Sequence, residues 1–113
     1  MQSLARINIK ANKTSITSTG AMKTFEDLKL KKQLKNALAD LGFVNPTPIQ
    51  QVSYSTILGG FDFVGIAQTG TGKTIAYLLP LIQDLKYTEE PHPRVIVLVP
   101  TRELVIQIVK EIE

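Results

Sequence analysis

The residues best suited to chemistry lie in one short run, Gln68-Thr69-Gly70-Thr71-Gly72-Lys73-Thr74, entered from the apolar stretch Phe63-Val64-Gly65-Ile66-Ala67. A glycine-spaced loop between a buried strand and a helix lets several backbone N–H groups converge on one anion. The helix that follows adds the positive end of its dipole. In such a loop Lys73 reaches outer phosphates and the Thr74 hydroxyl holds Mg²⁺. Ala67 stands where the pattern G-x-x-x-x-G-K-[ST] has its first Gly. A Gly-rich turn before an ordinary helix would share the glycines, but the pattern also asks for the strand before and the helix after, and the sequence supplies both.

A second constellation lies upstream, in Gly42-Phe43-Val44-Asn45-Pro46-Thr47-Pro48-Ile49-Gln50. Thr47-x-x-Gln50 reads as a capping box, with Thr as N-cap and Gln at the third helical position. A glutamine amide can also pair bidentately with the N6 and N7 edge of adenine, giving one acceptor and one donor. An aromatic ring can stack on a base face, and Phe25 is an isolated aromatic upstream. The capping reading and the adenine reading both stand on these residues alone.

The elements that must hold these groups follow from periodicity. Leu30, Leu34, Leu38 and Leu41 recur at helical spacing, with Gly42 placed to end that helix. Lys29, Lys31, Lys32 and Lys35 flank the stripe as a solvated face. Thr47-Pro48 opens a second helix, ended by Gly59-Gly60. A strand over 62–67 leads into the phosphate loop, and a helix over 73–86 follows with Pro80 inside it, which should kink it or loosen one hydrogen bond. His92 sits in the loop 87–93 between two prolines, with no acid or base beside it. The β-branched run 94–99 predicts a strand covered on both faces. Thr101 then caps a last helix to residue 113. The expected fold class is α/β with parallel strands and helices.

Bulk properties set the outer bounds. The 113 residues make one domain at most and contain no Cys, which excludes disulfides, thiolate zinc sites and thiol chemistry. No apolar run approaches the ~20 residues that span a bilayer, so no membrane partner is expected. The formal charge of +3 comes from the first 24 residues, which hold four basic and no acidic side chains. The remainder has nine basic against ten acidic residues, so a general basic field for nucleic acid is excluded. Residues 1–21 mix Ser, Thr, Asn, Lys and Ile without period or cap, and read as a disordered leader. Met22 could equally be the true start. The expected location is cytoplasmic, with the mitochondrial matrix as the minor alternative, because the leader lacks acids but has a single Arg.

Together the motifs resemble the DEAD-box ATP-dependent RNA helicases. Phe25, followed 17 residues later by Gly42-Phe43-x-x-Pro46-Thr47-Pro48-Ile49-Gln50, is similar to their Q motif. Ala67-Gln68-Thr69-Gly70-Thr71-Gly72-Lys73-Thr74 resembles motif I, which in that family carries Ala in place of the first Gly. Pro100-Thr101-Arg102-Glu103-Leu104 resembles motif Ia. The resemblance implies that residues 22–113 are the N-terminal part of a RecA-like P-loop domain with an incomplete sheet. It implies that Thr47 and Gln50 read adenine, with Phe25 against the base, and that residues 67–74 bind the phosphates of ATP, with Thr74 on Mg²⁺. It implies that Pro100, Thr101 and Arg102 lie along the RNA sugar-phosphate backbone, while Glu103 suits the helix dipole.

Family members hydrolyse ATP with an Asp-Glu-Ala-Asp box, and no such box occurs in these 113 residues. The Ser-Ala-Thr motif and the second RecA-like lobe are absent as well. Phosphoryl transfer needs all of these parts, so no catalytic residue is assigned here and no hydrolysis or unwinding is expected of this chain alone. The alternatives are a stand-alone nucleotide-binding module and a truncated reading frame without function. The strand that carries the acid box is implied to lie between the runs 62–67 and 94–99. Without it the two should stand apart or pair in another way, and the chain should be marginal and prone to aggregate. Oligomeric state, RNA substrate and pathway are not readable from the sequence.

Overall fold

A computed structural model of the chain describes the backbone of residues 4–8 and residues 24–70 and 72–113. In chain order the elements are β1 (Leu4–Asn8), a single 3-10 turn (Phe25–Asp27), α1 (Lys32–Asp40), α2 (Pro48–Leu58), β2 (Asp62–Ile66), α3 (Lys73–Asp84) and α4 (Arg102–Ile112).

The leucine stripe and its stop work as the spacing implies. Leu38 is buried and Leu34 half-buried, while α1 ends in two return bonds, Gly42 N to Ala39 O at 2.9 Å and Phe43 N to Leu38 O at 2.8 Å. That pair is the Schellman arrangement, which satisfies the last carbonyls of a helix. Lys35 reaches back to Glu26 at 3.0 Å, and Lys31 Nζ caps the far end of α3 on Leu85 O. The lysines of α1 therefore act as solvated and helix-end charges.

The core gathers Phe25, Leu28, Leu38, Tyr54 and Leu79, with Leu30, Leu34 and Ile75 against it. It ties the 3-10 turn and α1 to the face where α2 meets α3. The Tyr54 hydroxyl donates to Lys29 O at 3.1 Å, which satisfies its polar end, and burial pushes its phenol above the ordinary value. On the other side, α2 approaches β2 at Gly65. A Cβ there would stand 3.0 Å from Ile49 Cδ1, and closer still to the Phe63 ring, so the missing side chain permits the close packing.

The sheet departs from expectation in two places. Leu4–Asn8 pairs with β2 in parallel, in register from Leu4 opposite Asp62 to Asn8 opposite Ile66. The expectation of a disordered leader is thus corrected for residues 4–8; the rest of it, residues 1–3 and 9–21, lies outside the described residues. The reason is backbone satisfaction: β2 offers a row of unpaired N–H and C=O groups, and any extended segment in reach can pair with it. The second correction concerns 94–99, which carries no strand among the described residues. Its apolar composition suits a covered strand, but a strand needs a neighbour, and the only described sheet has two strands, β1 and β2. Ile96 is accordingly 75% exposed and Leu98 90% exposed. The α/β class stands, with an incomplete sheet. The runs 62–67 and 94–99 are not paired with each other.

Candidate nucleotide-binding site

Three segments build the site: the N-terminal turn of α2, the end of β2 with its loop, and the first turn of α3. The Thr47 backbone is extended and Pro48 occupies the first helical position, so α2 starts where the sequence indicates. Gln50 Oε1 accepts from Thr47 N at 2.9 Å, which closes one half of the capping box. The Thr47 hydroxyl is buried and makes no hydrogen bond. An orphaned buried hydroxyl is costly in an isolated fold and is the kind of group that a ligand or water satisfies.

The loop curls as the glycines require. Gly70 and Gly72 have φ of 79° and 78°, and Gly72 is the N-cap of α3. The left-handed backbone at Gly72 excludes most side chains. Space excludes them too, since a Cβ there would run into Gln50 Nε2. That nitrogen donates to Gly72 O at 3.1 Å. Gln50 therefore sits between the start of α2 and the start of α3, only 3% exposed.

Lys73 is exposed at the first position of α3, and its Nζ donates to Ala67 O at 2.7 Å, across the mouth of the loop. A carbonyl of the loop itself thus accepts from the ammonium. Thr74 is half-buried one position on. Tyr77 lies three residues further along α3, and burial pushes its phenol above the ordinary value; the neighbouring Thr74 side chain opposes this, and the Glu111 carboxylate adds to it. Thr69 and Gly70 are exposed on the loop, as is Gln68, while Thr71 lies outside the described residues.

The structure brings Thr47, Gln50, Gly72 and Lys73 together, and Ala67 with them through its bond to Lys73. It does not bring Phe25 to the loop. That ring is 4% exposed and packed in the core with Leu38, Tyr54 and Leu79. Pro100, Thr101 and Arg102 form a separate, exposed group at the start of α4, where Thr101 Oγ1 accepts from Leu104 N at 3.2 Å. Between this group and the loop opens a cleft of about 1450 Å³, walled by Lys73 and Thr74 on one side and by Ile96, Leu98 and Pro100 on the other. It exceeds the ~300–1,000 Å³ of ordinary ligand pockets, and its apolar wall is the run expected as a strand.

Two residues of the site were not singled out from sequence. Ser53, 0% exposed, donates its hydroxyl to Ala76 O at 2.6 Å and so ties α2 to α3. Tyr77, half-buried on α3, lines the cleft beside Thr74. Each lies three residues beyond an expected site residue on the same helix, and that i,i+3 spacing is the signal that could have found it. Among the described residues no group of His, Cys, Asp or Glu is arranged to hold a metal, and no helix is long and apolar enough to cross a membrane.

Comparison with known proteins bears on this geometry. Residues 47–113, more than half of the chain, match the family model described as DEAD/DEAH box helicase. The chain is 48% identical over 85 residues to the ATP-dependent RNA helicase DeaD of Haemophilus influenzae, covering 75% of this chain and 14% of that protein. It is 44% identical over 94 residues to DEAD-box ATP-dependent RNA helicase 30 of Arabidopsis thaliana, covering 80% and 16%. It is 46% identical over 93 residues to the ATP-dependent RNA helicase RhlB of Pseudomonas putida, covering 77% and 23%. The chain thus spans less than a quarter of the length of each of these relatives.

Proposed function

The chain belongs to the DEAD/DEAH box helicase family, and on that premise we propose that it is an adenine-nucleotide-binding portion of an ATP-dependent RNA helicase. The observation that carries this reading is the bond from Gln50 Nε2 to Gly72 O at 3.1 Å. In it a side chain suited to the edge of adenine lies directly against the loop suited to phosphate, which supports a nucleotide with a base at one end and phosphates at the other.

The residues fit that ligand. Gly72 at the N-cap of α3 turns the first amides of the helix toward an anion. Lys73 exchanges the Ala67 carbonyl for phosphate oxygens, a stronger charge-assisted contact. Thr74, half-buried in the first turn of α3, is the residue that would hold Mg²⁺. Bound Mg²⁺ would neutralise charge on the phosphates. The unpartnered Thr47 hydroxyl supplies a further polar group beside Gln50. Pro100, Thr101 and Arg102, exposed beside the cleft, are the group that would follow an RNA backbone.

Binding is separate from turnover. Lys73 and Mg²⁺ would supply only part of the charge stabilisation, and no Asp-Glu-Ala-Asp box to hold Mg²⁺ and activate water occurs in these 113 residues. The chain is therefore expected to bind Mg·ATP without hydrolysing it, with or without RNA. Phosphate release measured on the 113-residue chain tests this. Background rates in both conditions agree with the proposal, and RNA-stimulated turnover that disappears in Lys73→Ala would contradict it.

A further inference from the structure

In an unbroken helix the carbonyl of Ala76 accepts from the N–H of residue 80. Residue 80 is Pro, inside α3, and Pro has no N–H. Ala76 O is therefore an acceptor that its own helix cannot satisfy, and it is deeply placed, since Ala76 is 3% exposed and Pro80 is among the fully buried side chains. The missing donor comes from α2. Ser53 Oγ lies 2.6 Å from Ala76 O and 3.2 Å from Gln50 O. A hydroxyl has one proton, and the shorter contact takes it.

One turn earlier on the same face of α2, Gln50 Nε2 donates to Gly72 O at 3.1 Å. Residues 50 and 53 thus grip the carbonyls of residues 72 and 76, successive turns of α3. The two grips differ in kind. Gly72 O lies at a helix end beside the proposed nucleotide. Ala76 O lies inside the helix and exists as a free acceptor at one place only, where Pro80 removes the competing donor. A shift of α2 along α3 by one residue would leave the Ala76 carbonyl buried and unpaired while Ser53 fell back on Gln50 O of its own helix, a cost that a purely apolar contact would not impose.

We propose that Ser53 is a positioning residue for nucleotide recognition: its bond to the carbonyl opened by Pro80 sets the register of α2 on α3, and thereby aims the Gln50 carboxamide at the base of a nucleotide held by the phosphate loop. The inference rests on the adenine-nucleotide reading of the site. Ser53 itself touches no ligand.

The test separates register from mere satisfaction of a carbonyl. Pro80→Ala returns an N–H to Ala76 O, so in the double variant Ser53→Ala/Pro80→Ala no carbonyl is orphaned although the tie between helices is gone. ADP, GDP and tripolyphosphate are titrated into the unaltered 113-residue chain, both single variants and the double variant, with thermal midpoints recorded alongside. Ser53→Ala is expected to lower the midpoint and the preference for ADP over GDP. The double variant should recover the midpoint yet keep the preference reduced, by roughly tenfold, with tripolyphosphate affinity unchanged. Ser53→Thr, which keeps the hydroxyl, and Pro80→Ala alone should both retain the preference. Recovery of midpoint and preference together in the double variant would overturn the proposal, as would an undiminished preference in Ser53→Ala.

If the unaltered chain binds neither nucleotide, the nucleotide reading fails. The register is then read from the Gln50 carboxamide protons by NMR. Slow exchange in the unaltered chain and fast exchange in the double variant support the role of Ser53, and equal exchange in both contradicts it.

Discussion

Gln50 and Gly72 are joined by a hydrogen bond that leaves Gln50 half free. Its Nε2 gives one proton to Gly72 O and its Oε1 takes one from Thr47 N. A carboxamide has two protons and two lone pairs, so one donor and one acceptor remain. The edge of adenine needs one of each, for N7 and N6. By this count, the bonds to Gly72 and Thr47 do not use up the carboxamide.

Replacing Gln50 should cost specificity more than affinity for phosphate. Guanine presents an acceptor where adenine presents the N6 donor, so half of the pair turns repulsive, and such a pair discriminates by about 1–3 kcal/mol. Gln50→Ala is expected to narrow the gap between ADP and GDP by that order, with tripolyphosphate affinity held. Competition titrations on the variant check this; an unchanged gap would leave Gln50 as a helix cap alone.

Residues 4–8 should contribute to the stability of β2. Deleting residues 1–8 removes the parallel partner of Asp62–Ile66 and leaves that edge to water. The expected result is faster amide exchange within β2 and a lower thermal midpoint. Hydrogen exchange read at residues 62–66 checks this, and unchanged protection would show that β2 is held without β1.

The run 94–99 and α4 should make the chain self-associate. Ile96, Leu98, Val105, Ile106, Val109 and Ile112 are all exposed, and exposed apolar surface of that extent drives association. Light scattering is expected to rise with concentration and to fall in Leu98→Lys/Ile106→Lys. A monodisperse monomer at every concentration would contradict this.

Local signals carried most of this fold. The Leu34 and Leu38 spacing, Thr47-Pro48 and Gly72 marked helix starts and stops that the backbone follows, because caps and glycine conformations are decided within a few residues. Residues 94–99 failed for the opposite reason. Their composition favours a strand, but a ladder depends on a neighbour that sequence does not supply. Leu4–Asn8 became a strand without a strong pattern of its own, because β2 had an open edge. Phe25 shows the limit for a site: one aromatic upstream of a capping box fits a base or a core equally in sequence, and its packing with Leu38 and Tyr54 is visible only in the fold. Pro80 marked a lost hydrogen bond in the sequence, but its replacement by Ser53 from another helix became visible only with the helices packed.

The most direct test of the account is calorimetric titration of the unaltered 113-residue chain with ADP and with GDP, in the presence of Mg²⁺, beside Lys73→Ala. Lys73 is exposed and its bond to Ala67 O is the one that phosphate would replace. The account predicts that ADP binds more tightly than GDP by about tenfold, and that Lys73→Ala weakens both while the fold persists. Equal affinity for ADP and GDP, or ADP binding indifferent to Lys73, would contradict it.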